Sequence, residues 1–430
     1  MALALAVGGY VVATRLDGPR VLTGPTAAGS TGAVSGAPSG LATQALADLS
    51  RAVTRGDAAA VRGLAPADDD TAARRLAQAA SASARIGLTA TWRFLEQDTA
   101  PDADGTWTAA AELTWRFDDV DARAARAEVS VRLRTVVEDG AERVAVVDPA
   151  VGADDAGDAG DTGATSDTGA TGTRVPVWLG GQVVVRRSAH TLVVASADAP
   201  LAPARVAALA VTAREQALVS LAPGERSRAV DLVLEVPADE AGLDAALGAS
   251  VGTYAGVAAV TAPVDGRTAS GALHVLVNPD QLDQLRRAGA QVVLTHEAVH
   301  ALTDAPSSLA PLWLVEGYAD EVALRHVRLP LTVTSAELVA QVDDAGLPRR
   351  LPATSDFDVS ATDLGAAYEA AWTVCRVLAE RAGQDGLRRV YERVGAGEAL
   401  GRVLRAEAGW SRADLVRAYR AEVRRVAALS

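Results

Sequence analysis

Two histidines four residues apart on an apolar helical run constrain this chain more than any other feature. The segment Gln291-Val-Val-Leu-Thr-His-Glu-Ala-Val-His300 sets His296, Glu297 and His300 in the pattern HExxH. In an α-helix, positions i and i+4 share one face, with Cβ atoms roughly 6 Å apart. That spacing lets both imidazoles reach a single Zn2+ at about 2.0–2.1 Å. Glu297 lies one residue round the helix, where its carboxylate can address a water without ligating the metal. The competing reading is a pair of helix-face histidines that pack or hydrogen-bond. With only 5 histidines in the chain, composition alone seldom produces the pattern.

A third donor follows downstream. Pro306, Ser307 and Ser308 mark a loop, and Pro311 suits the first turn of a new helix. Glu316 falls on that helix, with residues 301–315 between it and His300. Chain reversal over such a loop brings the second helix alongside the first. Two histidines and a glutamate, with a fourth position left open, form the donor set of a catalytic zinc site and not of a closed structural one.

The run Trp313-Leu314-x-Glu316-Gly317-x-Ala319 after HExxH resembles the gluzincin signature of the MA clan of metallopeptidases. Within that clan the chain is most similar to the peptidase MA-like domain of bacterial envelope proteins, with wider kinship to the thermolysin-like and aminopeptidase N families. The resemblance covers about residues 174–430 and is strongest from Gly271 to Glu321. It implies a zincin-like fold and hydrolysis of a peptide bond, with zinc held by His296, His300 and Glu316. Glu297 is then the general base that takes a proton from water and passes it to the leaving amine. An acid at the position of Asp320 hydrogen-bonds a zinc-ligand imidazole in similar enzymes; the other reading of Asp320 is a solvated helix charge. A tyrosine or histidine from the helical lobe stabilises the oxyanion in related families. Tyr368, in Gly365-Ala-Ala-Tyr-Glu-Ala-Ala-Trp372, is the candidate here, against the reading of a tyrosine at a helix packing seam. Tyr318 is an outside alternative. The strand Gly271-Ala-Leu-His-Val-Leu-Val-Asn278 fits the edge strand that lines the cleft in such folds. No segment like the GxMxN of the aminopeptidase N family offers an acidic anchor for a free amine, which leans the reading toward an endopeptidase or a narrow processing role.

The rest of the chain supplies context. A low-complexity stretch at 152–173, acidic and rich in Gly and Thr, reads as a linker. Before it, residues 41–151 open with helical segments and continue with four alternating runs that read as an antiparallel sheet, with Glu138-Asp139-Gly140 as a hairpin turn. This order resembles nuclear transport factor 2-like (cystatin-type) α+β domains. After the linker, residues 174–430 read as a mixed sheet feeding a helical lobe, α+β in class. The zinc helix is expected to start near Gln281 and run through Leu302.

Residues 1–16 carry an apolar run, Met1 to Thr14, short of the about 20 residues of a membrane span. Behind it, residues 17–40 read as a flexible Gly/Ser/Thr/Pro-rich tether. Together they suit a truncated signal anchor, and so an extracytoplasmic protein that is membrane-anchored or secreted. The net charge of −13 argues against nucleic acid as a partner, because a phosphate backbone calls for clustered cations. Peptide or protein remains the expected substrate. The single cysteine, Cys375, excludes an intramolecular disulfide and reads as a buried core residue. His190, His274 and His326 read as packed or surface imidazoles. The main alternative to a peptidase is a non-catalytic envelope protein that binds partners on a peptidase-like scaffold. Against it stands Glu297, which pure binding does not need. A zinc hydrolase acting on something other than peptide is a third reading.

Overall fold

The structure, a computed structural model, describes residues 38–152, 174–267, 272–358 and 361–429. The N-terminal apolar segment, nearly all of the tether and most of the acidic linker lie outside the described residues. None of the described helices is long and apolar enough to cross a membrane.

The chain begins with three helices, α1 (Ser39–Thr54), α2 (Ala58–Arg62) and α3 (Asp70–Ile86). Asp57 and Asp69 cap α2 and α3: each carboxylate accepts hydrogen bonds from two backbone N–H groups of the first turn. Four strands follow, β1 (Leu88–Gln97), β2 (Thr106–Phe117), β3 (Ala125–Glu138) and β4 (Ala141–Val151), paired antiparallel in sequence order. Asp139 and Gly140 both take positive φ in the tight turn between β3 and β4, as a two-residue hairpin requires. Alternate residues such as Leu88, Ala90 and Trp92 on β1 are buried and face the helices.

The second sheet contains β5 (Val183–Arg187), β6 (Thr191–Ser196), β7 (Leu232–Val236), β8 (Ala259–Pro263) and β9 (Leu273–Val277), in the order β5-β6-β7-β9-β8. Helix α4 (Pro203–Ala217) makes the crossover between the parallel strands β6 and β7, and α5 (Glu240–Leu247) follows β7. The remainder is helical: α6 (Pro279–Gln284), α7 (Arg287–Leu302), α8 (Leu312–Leu324), α9 (Leu331–Thr334), α10 (Ala336–Ala345), α11 (Leu364–Gly395), α12 (Leu400–Ala408) and α13 (Arg412–Ala427). The long α11 is interrupted at Gly383, whose φ of 74° is non-helical. The molecule is therefore α+β, with two sheets and a helical lobe.

Three expectations change. Residues 177–179, expected to begin a strand, form a single 3-10 turn that buries Trp178. The expected helix from Gln281 is two helices. Asn278 caps α6 with its side chain, Leu285 and Arg286 are extended, and α7 starts afresh at Arg287. Finally, the strand at Leu273–Val277 is interior, between β7 and β8; the edge is β8, antiparallel to it.

The central sheet has a different neighbour on each face. Val193, Ala195, Leu234 and Val275 belong to the core shared with α4, α7, α8 and α11. Leu192, Val194 and Val233 join the core of the first sheet and its helices. Trp178 meets Trp92 edge-on at 6.0 Å between ring centroids. The strands next to the HExxH helix are thus backed by the N-terminal part of the chain.

Candidate metal centre

Helix α7 runs through the protein interior, buried at every position from Val292 to Leu302. Helix α8 lies alongside it and is buried over its whole length. Gly317 permits the packing of α8 on α11: a Cβ there would stand 2.2 Å from the carbonyl oxygen of Ala371 and 2.9 Å from Sγ of Cys375. Only a residue without a side chain fits so close to another helix backbone. The neighbouring Glu316 is thereby presented to α7.

Three donor atoms converge between the helices. Nε2 of His296 is 2.9 Å from Nε2 of His300 and 3.1 Å from Oε2 of Glu316, which is 3.3 Å from Nε2 of His300. Ligands about 2.0–2.1 Å from a tetrahedral ion stand about 3.3 Å from one another, so the separations suit a zinc-sized cation. Each of the three side chains is at most 1% exposed. Oε1 of Glu316 is buried and has no hydrogen-bond partner among the described residues, a costly state unless another ligand is present. The buried His-His-Glu cluster is compatible with zinc.

The charges around the cluster follow from its burial. Burial opposes a charged imidazole at His296, yet the carboxylates of Asp320 and Glu316 hold its pKa well above the usual value. Burial would also raise Glu316, but the two imidazoles pull it down to about 2. Asp320, one turn after Glu316, is itself buried rather than solvated, and its Oδ1 lies 2.8 Å from Nδ1 of His296. A hydrogen bond there leaves Nε2 of His296 as the free donor atom and fixes the ring.

Glu297 is 1% exposed. Burial raises its pKa above the ordinary glutamate value, with the imidazoles opposing. Its Oε2 accepts a 2.8 Å hydrogen bond from the hydroxyl of Thr261 on β8, while Oε1 is buried with no partner among the described residues. Thr261 is absent from the sequence-derived site. A lone hydroxyl in the apolar strand Val257-Ala-Ala-Val-Thr261-Ala-Pro263 is the signal that pointed to it. Another buried acid, Glu369, is bonded to the start of α10. It is buried on α11, burial pushes its pKa up to about 7, and Oε2 accepts a 2.7 Å hydrogen bond from the backbone N–H of Leu338.

Tyr368 is 4% exposed, its ring 6.4 Å from that of His296 and set edge-on to Phe357 at 5.4 Å. Tyr318 is not at the cluster's disposal: its hydroxyl donates to the carbonyl of Ser220 at 3.0 Å and its ring stacks on Tyr391. Cys375 is fully buried in the core. His190 and His326 are exposed. His274 is buried away from the cluster, between Glu235 at 2.6 Å and Asp121 at 2.9 Å.

No protein-family profile matches the sequence, and no curated protein matches it. Among solved structures, the chain is similar to a two-domain M1 zinc metallopeptidase, a mutant bound to L-arginine, with a TM-score of 0.34 and 11% identity. The match covers 78% of this chain and 63% of that one, so this chain spans less than two thirds of its length. A likeness so distant fixes neither fold nor chemistry.

Proposed function

We propose that this chain is a zinc-dependent peptide-bond hydrolase, with His296, His300 and Glu316 as the metal ligands and Glu297 as general base. The observation that carries this reading is the convergence of three buried donor atoms, all within 4.8 Å of one another, beside a carboxylate that is not part of the donor set. A zinc ion in this donor set supplies Lewis acidity toward a water and a carbonyl oxygen.

The chain's own residues do the rest. Glu297, its pKa raised by burial, is a stronger base than an exposed glutamate. It takes the proton of the attacking water and delivers it to the departing amine. Asp320 keeps the His296 ring in one tautomer. Tyr368, packed against His296, is the residue we assign to donate a hydrogen bond to the oxyanion. Strand β8 lies at the sheet edge and carries Thr261 against Glu297. An extended peptide added to that edge would run past the base, which favours peptide over other substrates. The apolar N-terminal segment and tether support an extracytoplasmic, membrane-associated location.

One observation favours a second reading. His296, Glu297, His300 and Glu316 are all at most 1% exposed, so the centre is closed to solvent in this conformation. A protein that keeps zinc for stability and binds partners elsewhere would have such a closed centre.

A quenched-peptide library assayed with the full chain and with Glu297→Gln separates the two. Cleavage by the wild type that is abolished in Glu297→Gln supports the hydrolase. Zinc-loaded wild type that cleaves no peptide supports the binding protein.

A further inference from the structure

The edge strand β8 meets the HExxH helix through apolar packing and a buried hydroxyl. Thr261 is 3% exposed. Successive side chains of a strand alternate between faces. On β8, Val260 and Ala262 belong to the core around α5. Ala259 and Thr261 point the other way, and Ala259 packs in the core that contains α7. From there Oγ1 of Thr261 reaches two oxygens of one residue: Oε2 of Glu297 at 2.8 Å and the Glu297 main-chain carbonyl oxygen at 2.9 Å.

We propose that Thr261 is a positioning residue for Glu297, fixing one carboxylate oxygen so that the other is presented to the reacting water. This rests on the reading of Glu297 as general base. A glutamate on a helix has three side-chain torsions, and an unheld carboxylate in a buried site would settle on the nearest imidazole. The contact with Thr261 removes that freedom. A hydroxyl-to-carboxylate hydrogen bond is charge-assisted and among the stronger ones available to a side chain. The hydroxyl has one hydrogen and two oxygen neighbours. It donates to Oε2 when Glu297 is ionised. Its place on β8 fixes the carboxylate relative to the strand along which a substrate would lie, and an error of about 1 Å in such a placement costs about a hundredfold in rate.

The test compares Thr261→Val, which keeps the shape and removes the hydroxyl, with Thr261→Ser, which keeps the hydroxyl and removes the methyl. Both are made in the full chain, with Glu297→Gln alongside. Crystal structures of the metal-free proteins give the first readout, independent of activity. The Glu297 carboxylate should hold one orientation in wild type and Thr261→Ser, and turn away or split in Thr261→Val. The second readout is peptide cleavage at equal zinc content. Thr261→Val should lose about 10–100-fold in kcat with KM little changed, and Thr261→Ser should recover most of it. An unmoved Glu297 in Thr261→Val, or a kcat equal to wild type, overturns the proposal. So does a Thr261→Ser as impaired as Thr261→Val, which would make the role one of packing. A wild type that cleaves no peptide sinks the hydrolase reading instead, and the orientation of Glu297 still decides the role of Thr261.

Discussion

Oδ1 of Asp320 lies 2.8 Å from Nδ1 of His296, on the side of the imidazole opposite the nitrogen that meets His300 and Glu316. The pair joins α8 to α7 one turn beyond Glu316, so a single helix supplies both a donor to the cluster and the support for another donor. Replacing Asp320 with Asn offers an amide in place of a carboxylate and removes the preference for a proton on Nδ1. Zinc affinity should fall about 10–100-fold in Asp320→Asn, as measured by competition with a chromophoric chelator. An unchanged affinity would mean that the His296 ring is fixed by packing alone.

Gly317 sets how closely α8 approaches α11. In Gly317→Ala the added methyl would stand 2.2 Å from the Ala371 carbonyl oxygen, a backbone atom that cannot swing aside. Overpacking of this kind costs about 1–3 kcal/mol or more. Denaturant unfolding should show that loss, and the shift of α8 should weaken metal binding as well, since Glu316 is the adjacent residue. A variant as stable as wild type would show that the two helices can part at little cost.

The buried imidazole of His274 couples the central sheet to the N-terminal part of the chain. Burial opposes its charge, but the carboxylates of Asp121 and Glu235 hold its pKa at about 10, against an ordinary 6.5. A pKa raised in the folded state stabilises fully below the unfolded value and is lost as pH rises through the folded one. The contribution of His274 is therefore complete below about pH 6.5 and disappears toward pH 10. His274→Gln leaves two buried carboxylates without their cation and should cost about 3–5 kcal/mol near neutral pH. Unfolding curves across this range should show the gap between the two proteins closing as pH rises. A gap that stays constant would mean that His274 acts there as a neutral ring.

The two sheets are separated in sequence by the acidic linker, yet they share buried side chains. A chain cut to residues 174–430 would expose Trp178, Leu192, Val194 and Val233, now within the core of the first sheet. Each fully buried large side chain is worth about 1.5–3 kcal/mol, so the fragment should unfold at markedly lower denaturant than the full chain. An equal midpoint would show that the shared core contributes little.

Much of this was legible in the sequence because the determinants are local. The hairpin at Asp139-Gly140 and the alternation along β1 follow from backbone preferences within a few residues. So does the candidate centre: His296, Glu297 and His300 lie on one helix, and Glu316 and Asp320 on the next. What escaped depends on contacts between distant segments. That β8 and not β9 is the edge follows from the chain looping out through β8 before β9 enters beside β7, which periodicity does not encode. The bond from Thr261 to Glu297 spans that same connection. The break between α6 and α7, at Leu285 and Arg286, was masked by a continuous helical composition. Gly317 stood inside the quoted signature, and its reason appears only when α11 is seen packed against it.

The most direct test of the central claim is the zinc content of the purified full chain, measured by elemental analysis beside His296→Ala and Glu297→Gln. The account predicts about one zinc per chain in wild type and in Glu297→Gln, and its loss in His296→Ala, because His296 is a ligand and Glu297 is not. Wild-type protein that takes up no zinc, or a His296→Ala variant that keeps it, would contradict the account and leave His296, His300 and Glu316 as a buried hydrogen-bonded cluster.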